Sequence, residues 1–126
     1  MNPMNTEAMR TLRHELRTPI NHIVGYSELM LDEARETRAD VVAEQAGQIR
    51  TQGRALADLL ELALSAEHNV HAGGLGQVRP RLRSAIETAL MTCEPKPGIL
   101  NNRSYLEDLG RIKQALIRLS RLVDTL

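Results

Sequence analysis

The chain contains no phenylalanine and no tryptophan, and its two tyrosines bring aromatics to only 2% of 126 residues. A core without large rings must be built from Leu, Ile, Val, Met and Ala, which suits helix packed on helix better than a β-sandwich. A single cysteine, Cys93, excludes an internal disulfide and fits a reducing compartment. The formal net charge is zero, so no general affinity for nucleic acid or an anionic membrane is expected. No apolar run approaches the roughly 20 residues of a membrane span. The opening "MNPMNTEAMR" lacks the apolar stretch of a signal peptide. These absences describe a soluble, cytoplasmic, all-α protein.

What is present is helical periodicity. Met9, Leu12, Leu16, Ile20, Ile23, Ser27, Met30 and Ala34 follow one another in steps of three and four, predicting a first helix over about residues 5–35. The polar "ETRAD" then predicts a tight antiparallel return. Val42, Gln45, Ile49, Gln52, Leu56, Leu59 and Ala63 form the seam of a second helix over about 39–66. The two glutamines in that seam are expected to favour one register over others. Residues 1–70 therefore read as a hairpin, 71–79 ("HAGGLGQVR") as a glycine-rich linker, and 80–126 as a second helical pair. A third helix is predicted to start at Pro80, with Leu82, Ile86, Ala89 and Cys93 inward. "EPKPG" ends it. A fourth helix is predicted from a capping box, Ser104 to Glu107, with Tyr105, Leu109, Ile112, Leu116, Leu119, Val123 and Leu126 as its seam.

The segments starting at Ile49 and Ile112 align without gaps, Leu56 against Leu119 and Glu61 against Asp124. Any two leucine-rich amphipathic helices look alike, and that reading is preferred to a second hairpin mimicking the first. In such a mimic Gln77 would lie opposite His14.

The stretch "LRHELRTPIN" carries chemistry. At about 100° per residue, His14 lies roughly 160° from the apolar stripe, with Thr18, Asn21 and Gly25 near the same outward line. That placement argues against a core histidine and leaves two readings, an idle surface histidine and a histidine displayed to a partner. Pro19, one turn on, cannot donate to the carbonyl of Glu15, a defect of about 3 kcal/mol in a helix interior. The apolar stripe continues for four turns beyond it, so the residue predicts a bent or loosened helix rather than a helix end.

"HELRTPINHIVGYSELML" (14–31) closely resembles the H-box of two-component sensor histidine kinases, within their dimerisation and histidine-phosphotransfer (HisKA-type) hairpin. The second helix is similar more loosely. The resemblance implies that His14 is the phosphoacceptor. It implies that Glu15 accepts a hydrogen bond or proton from the imidazole, that Arg17 supports the phosphoryl group or its contacts, and that Thr18 helps place a water for dephosphorylation of a partner. Pro19 would bend the helix, and Asn21 and Gly25 would face a docked protein. Free imidazole titrates near pH 6.5 and is a good nucleophile when neutral. Phosphoryl transfer needs in-line positioning and charge compensation, which an exposed site on a rigid helix permits.

The resemblance further implies a homodimeric four-helix bundle, an ATP-binding kinase domain and a response-regulator receiver as partners. ATP with Mg is expected on a separate domain, and no cofactor on this chain. No ATP-binding motif follows the second helix, and "AGGLG" (72–76) reads as linker rather than phosphate cradle. This chain alone is not expected to phosphorylate itself. The homodimer is preferred to a bundle completed by the chain's own second hairpin, because the third helix looks too short to mirror the first. The alternative functions are a non-catalytic dimerising scaffold, or a pseudo-dimeric phosphotransfer module in a non-kinase regulator. His68 and His71 read as surface histidines rather than metal ligands, His22 as a flank residue and Cys93 as core.

Overall fold

The structure, a computed structural model, describes residues 6–68 and 73–125, without the side chains of 6, 9, 65–68 and 73–76. Among the described residues there are four α-helices and no strand: α1 (Thr6–Thr37), α2 (Asp40–His68), α3 (Gly73–Thr92) and α4 (Arg103–Asp124). A short 3-10 turn, Pro97–Ile99, precedes α4. Each helix is antiparallel to the two it touches: α1 packs on α2 and α4, α2 on α3, and α3 on α4 along a thinner seam.

The stripes read from the sequence form the core. Leu16, Ile20, Ile23, Ser27, Met30 and Ala34 of α1 are buried, as are Val42, Gln45, Ile49, Leu56 and Ala63 of α2. Leu82, Ile86 and Ala89 of α3, with Cys93 just past its end, join Tyr105, Leu109, Ile112, Leu116, Leu119 and Val123 of α4 in the same cluster. Burial of the Cys93 thiol pushes its pKa up to about 11, with Glu94 adding and Lys113 opposing. Such a thiol stays protonated and serves as packing. Gly53 lets α1 and α2 approach closely: a β-carbon there would stand 2.9 Å from a Val24 methyl and 3.1 Å from an Ile23 methyl.

The α1–α2 turn is a Schellman closure. The amide of Ala39 donates to Ala34 at 2.8 Å and that of Arg38 to Arg35 at 3.4 Å, with Arg38 left-handed at φ 57°. Glycine usually occupies that position; here an arginine does.

Two features differ from the sequence reading. Helix α3 begins at Gly73, so residues 73–79 are helical and Pro80 lies inside the helix rather than at its start. Two turns into the helix its missing amide costs one helical hydrogen bond, and the inward stripe Val78, Leu82, Ile86 that runs through it offsets that loss by burial. The cap of α4 is Asn102, whose Oδ1 accepts from the Tyr105 amide at 3.0 Å; Ser104 instead donates to Glu33 on α1 at 3.3 Å. Helices α3 and α4 pack on the apolar faces of α1 and α2 within the one chain.

The second hairpin stands where a copy of the first would. At the offset that aligns Ile49 with Ile112, the buried positions of α4 repeat those of α2: Val42 with Tyr105, Ala46 with Leu109, Leu56 with Leu119, Leu60 with Val123. A polar cluster ties the hairpins together. Gln45 Nε2 donates to the carbonyls of Thr92 and Glu94 at the end of α3, 2.8 Å each, and its Oε1 accepts from the Tyr105 hydroxyl at 2.6 Å. The Lys96 amide donates to the same hydroxyl at 2.8 Å. The Gln52 amide reaches the Thr92 hydroxyl at 2.9 Å. Thus the expected register role of the glutamines takes a specific form: Gln45 satisfies carbonyls that a helix terminus leaves unpaired.

Candidate functional site

Helix α1 runs unbroken through Pro19, whose ring is buried beside Leu16 and Ile20. That packing holds a residue that helix propensity opposes. Pro19 has no amide hydrogen for the Glu15 carbonyl. One residue earlier, the Thr18 hydroxyl donates to the carbonyl of His14 at 3.0 Å. The backbone beneath the histidine therefore has one carbonyl without its helical donor beside one with an added side-chain donor.

His14 is exposed on the outward face of α1, as are Glu15 and Asn21. Among the described residues, no hydrogen bond or ion pair engages the His14 ring, and none joins it to Glu15. Consecutive helical residues point about 100° apart, so this pairing needs rotamer adjustment or a reacting group between them. Thr18 is half-buried. Gly25 lies further along the stripe, and a β-carbon built there would meet nothing within 4 Å.

The residues predicted for the site thus share one helix, but Arg17 is turned away from His14. Its Nε donates to Glu61 Oε2 at 3.0 Å, and its Nη2 closes on the same oxygen. Both side chains are about half exposed, so the pair positions Arg17 more than it stabilises the bundle. A second pair, Arg54 to Glu28 at 3.2 Å, bridges the same α1–α2 seam further along. Glu61 was invisible as a partner from sequence, because opposite charge on a facing helix becomes readable only once the hairpin register is known.

Among the described residues no group of three or more His, Cys, Asp or Glu side chains is arranged to hold a metal ion, and no helix is long and apolar enough to cross a membrane. The His68–His71 pair lies outside the described side chains. His22 is exposed and meets Tyr26 edge-on at 6.2 Å, a flank position as expected.

No curated protein and no solved structure matches the chain. Residues 4–67, which span α1 and almost all of α2, match the His Kinase A (phospho-acceptor) domain. The match covers half of the chain and includes the helix that displays His14, so the protein belongs to the His Kinase A family of phospho-acceptor domains of two-component histidine kinases.

Proposed function

We propose that His14 accepts a phosphoryl group from ATP, presented by a separate ATP-binding domain with Mg, and relays it to a receiver aspartate. The supporting observation is an imidazole exposed on the outward face of a rigid helix with no partner among the described residues. In the first step an imidazole nitrogen forms a bond to the γ-phosphorus as the bond to the β-bridging oxygen breaks, and ADP leaves. In the second a receiver carboxylate oxygen attacks the same phosphorus and the N–P bond breaks. Both partners must approach in line, which a surface residue allows and a buried one does not.

Glu15 takes the proton or hydrogen bond that stabilises positive charge on the ring as it attacks. Thr18 places water for hydrolysis of the phosphorylated receiver. Arg17, tethered to Glu61, acts as a positioning residue whose charge lies one turn from His14. Asn21 and Gly25 form the docking face, and these exchanges belong to the cytoplasm.

Within this reading the chain is a pseudo-dimer, since α3 and α4 occupy the faces that a second hairpin would cover and the Gln45 cluster fastens them there. A homodimer would require that hairpin to swing away.

The test mixes the chain with an ATP-binding domain of a histidine kinase and ATP labelled on the γ-phosphate. Acid-labile label on the chain that is absent from His14→Gln is expected. Label retained in His14→Gln, or found only on acid-stable residues, overturns the assignment. A scaffold without relay would take no label in either form.

A further inference from the structure

Where the α1–α2 turn meets the start of α4, the chain forms a cavity of about 120 Å³. It is remote from His14: Glu33, which lines it, stands about 28 Å further along α1. Met30, Ala34, Ala39, Val42 and Tyr105 give the cavity an apolar wall. Two carboxylates interrupt that wall, Glu33 of α1 and Asp108 of α4. Asp108 is only 8% exposed. Arg111 Nη1 donates to Asp108 Oδ1 at 3.3 Å, and Ser104 Oγ donates to Glu33 Oε2 at 3.3 Å. Asp108 Oδ2 and Glu33 Oε1 have no hydrogen bond among the described residues. The neutral acceptors of the lining are engaged. Asn102 Oδ1 takes the Tyr105 amide, and the Tyr105 hydroxyl takes the Lys96 amide while donating to Gln45. Thr37 turns its hydroxyl back onto the Glu33 carbonyl at 3.0 Å.

A buried carboxylate oxygen without a donor is costly, so this lining matches a ligand that donates hydrogen bonds and carries positive charge. Burial is the largest cause of the raised Asp108 pKa; Arg111 opposes the rise and Glu33 adds to it, which leaves the carboxyl short of positive charge. No Lys, Arg or His lines the cavity, and the arginines next in sequence to lining residues, Arg35, Arg38 and Arg103, are exposed to solvent. A hard metal ion takes about six oxygen ligands. Here aliphatic carbon forms much of the wall, and no group of three His, Cys, Asp or Glu stands ready among the described residues. The volume approaches the roughly 150 Å³ of an apolar cavity that takes benzene, which sets the ligand at about five or six non-hydrogen atoms.

We propose that this cavity binds a short primary alkylammonium, its ammonium group between Asp108 and Glu33 and its alkyl tail against Met30, Ala34 and Val42. The ammonium supplies donors to the two carboxylate oxygens that the chain leaves without one, and the tail covers the apolar wall. A cation held there joins α4 to the α1–α2 turn, so it strengthens the hold of the first hairpin on the second. The inference does not depend on phosphate chemistry at His14.

The test titrates the isotope-labelled full chain with n-butylammonium chloride at constant ionic strength and reads amide chemical shifts. Saturable shifts at Ala34, Ala39 and Asp108 with a Kd of about 1 mM or tighter are expected. Asp108→Asn keeps the shape and removes the charge, and should weaken binding by about tenfold or more. Glu33→Gln, at an exposed and more screened position, should weaken it by about threefold. Ala39→Leu sets a larger side chain against the cavity and should abolish binding. Glu87→Gln, the same change of net charge on an exposed position of α3, should leave it intact, as should His14→Gln. Absence of saturable shifts, unchanged binding in Asp108→Asn, or equal weakening in Glu87→Gln overturns the proposal. So does n-butanol that binds as tightly, which would make the cavity merely apolar. Calcium chloride that displaces the amine at equal ionic strength overturns it in favour of a metal site.

Discussion

The Tyr105 hydroxyl donates to Gln45 Oε1 at 2.6 Å, joining α4 to α2 through the interior. The same glutamine holds both carbonyls at the end of α3, so one side chain of the first hairpin engages both helices of the second. Gln45→Leu keeps the volume and strands two carbonyls and a hydroxyl. Unfolding in urea should show a loss of about 2–3 kcal/mol, with a smaller loss of about 1 kcal/mol for Tyr105→Phe. Equal stability of all three proteins would show that the cluster does not fasten the hairpins.

In solution the chain should behave as a single copy. Light scattering is expected to give 14.1 kDa, the mass of one chain, across a wide range of concentration. A doubled mass would mean that a second copy displaces α3 and α4.

The left-handed Arg38 offers a gain. An L-residue at φ 57° is disfavoured by about 1 kcal/mol relative to glycine, while the Schellman bonds around it use only backbone groups. Arg38→Gly should raise the urea midpoint; a lower midpoint would mean that glycine's added freedom in the unfolded chain outweighs the relief.

Asp108 faces the end of α1 in a cavity of about 120 Å³ that it shares with Glu33 and Tyr105. Burial raises its pKa, the Arg111 charge and hydrogen bond oppose the rise, and Glu33 and Glu107 add to it. The folded state therefore holds this proton more tightly than the unfolded chain does. Stability contributed by the group is full below the ordinary aspartate range and is lost as pH rises through the raised value. Asp108→Asn should gain on the parent as pH rises from acid to neutral, read from urea midpoints; a constant difference would remove the linkage.

Thr18→Ala should slow dephosphorylation of a receiver by roughly tenfold or more while changing phosphorylation of His14 less, because water placement matters only to the former. Phosphate release and histidine labelling, timed side by side, test this. Equal losses would assign Thr18 to general support of the helix through its bond to the His14 carbonyl.

Much of the fold was legible because local periodicity carried it. The stripe from Leu16 to Ala34 and the seam from Tyr105 to Val123 were readable as spacing alone, and so was the outward direction of His14. Errors arose where two local signals competed. Ser104 and Glu107 fit a capping box, yet Asn102 takes the cap two residues earlier. Pro80 fits a first helical position, yet packing of Val78 and Leu82 carries the helix back to Gly73. Non-local features were silent: nothing in the spacing of Arg17 and Glu61 announces their pairing.

Gln77 occupies the place in α3 that would answer to His14, so the bundle displays that histidine on one half only. Covalent continuity between the halves makes their encounter independent of dilution.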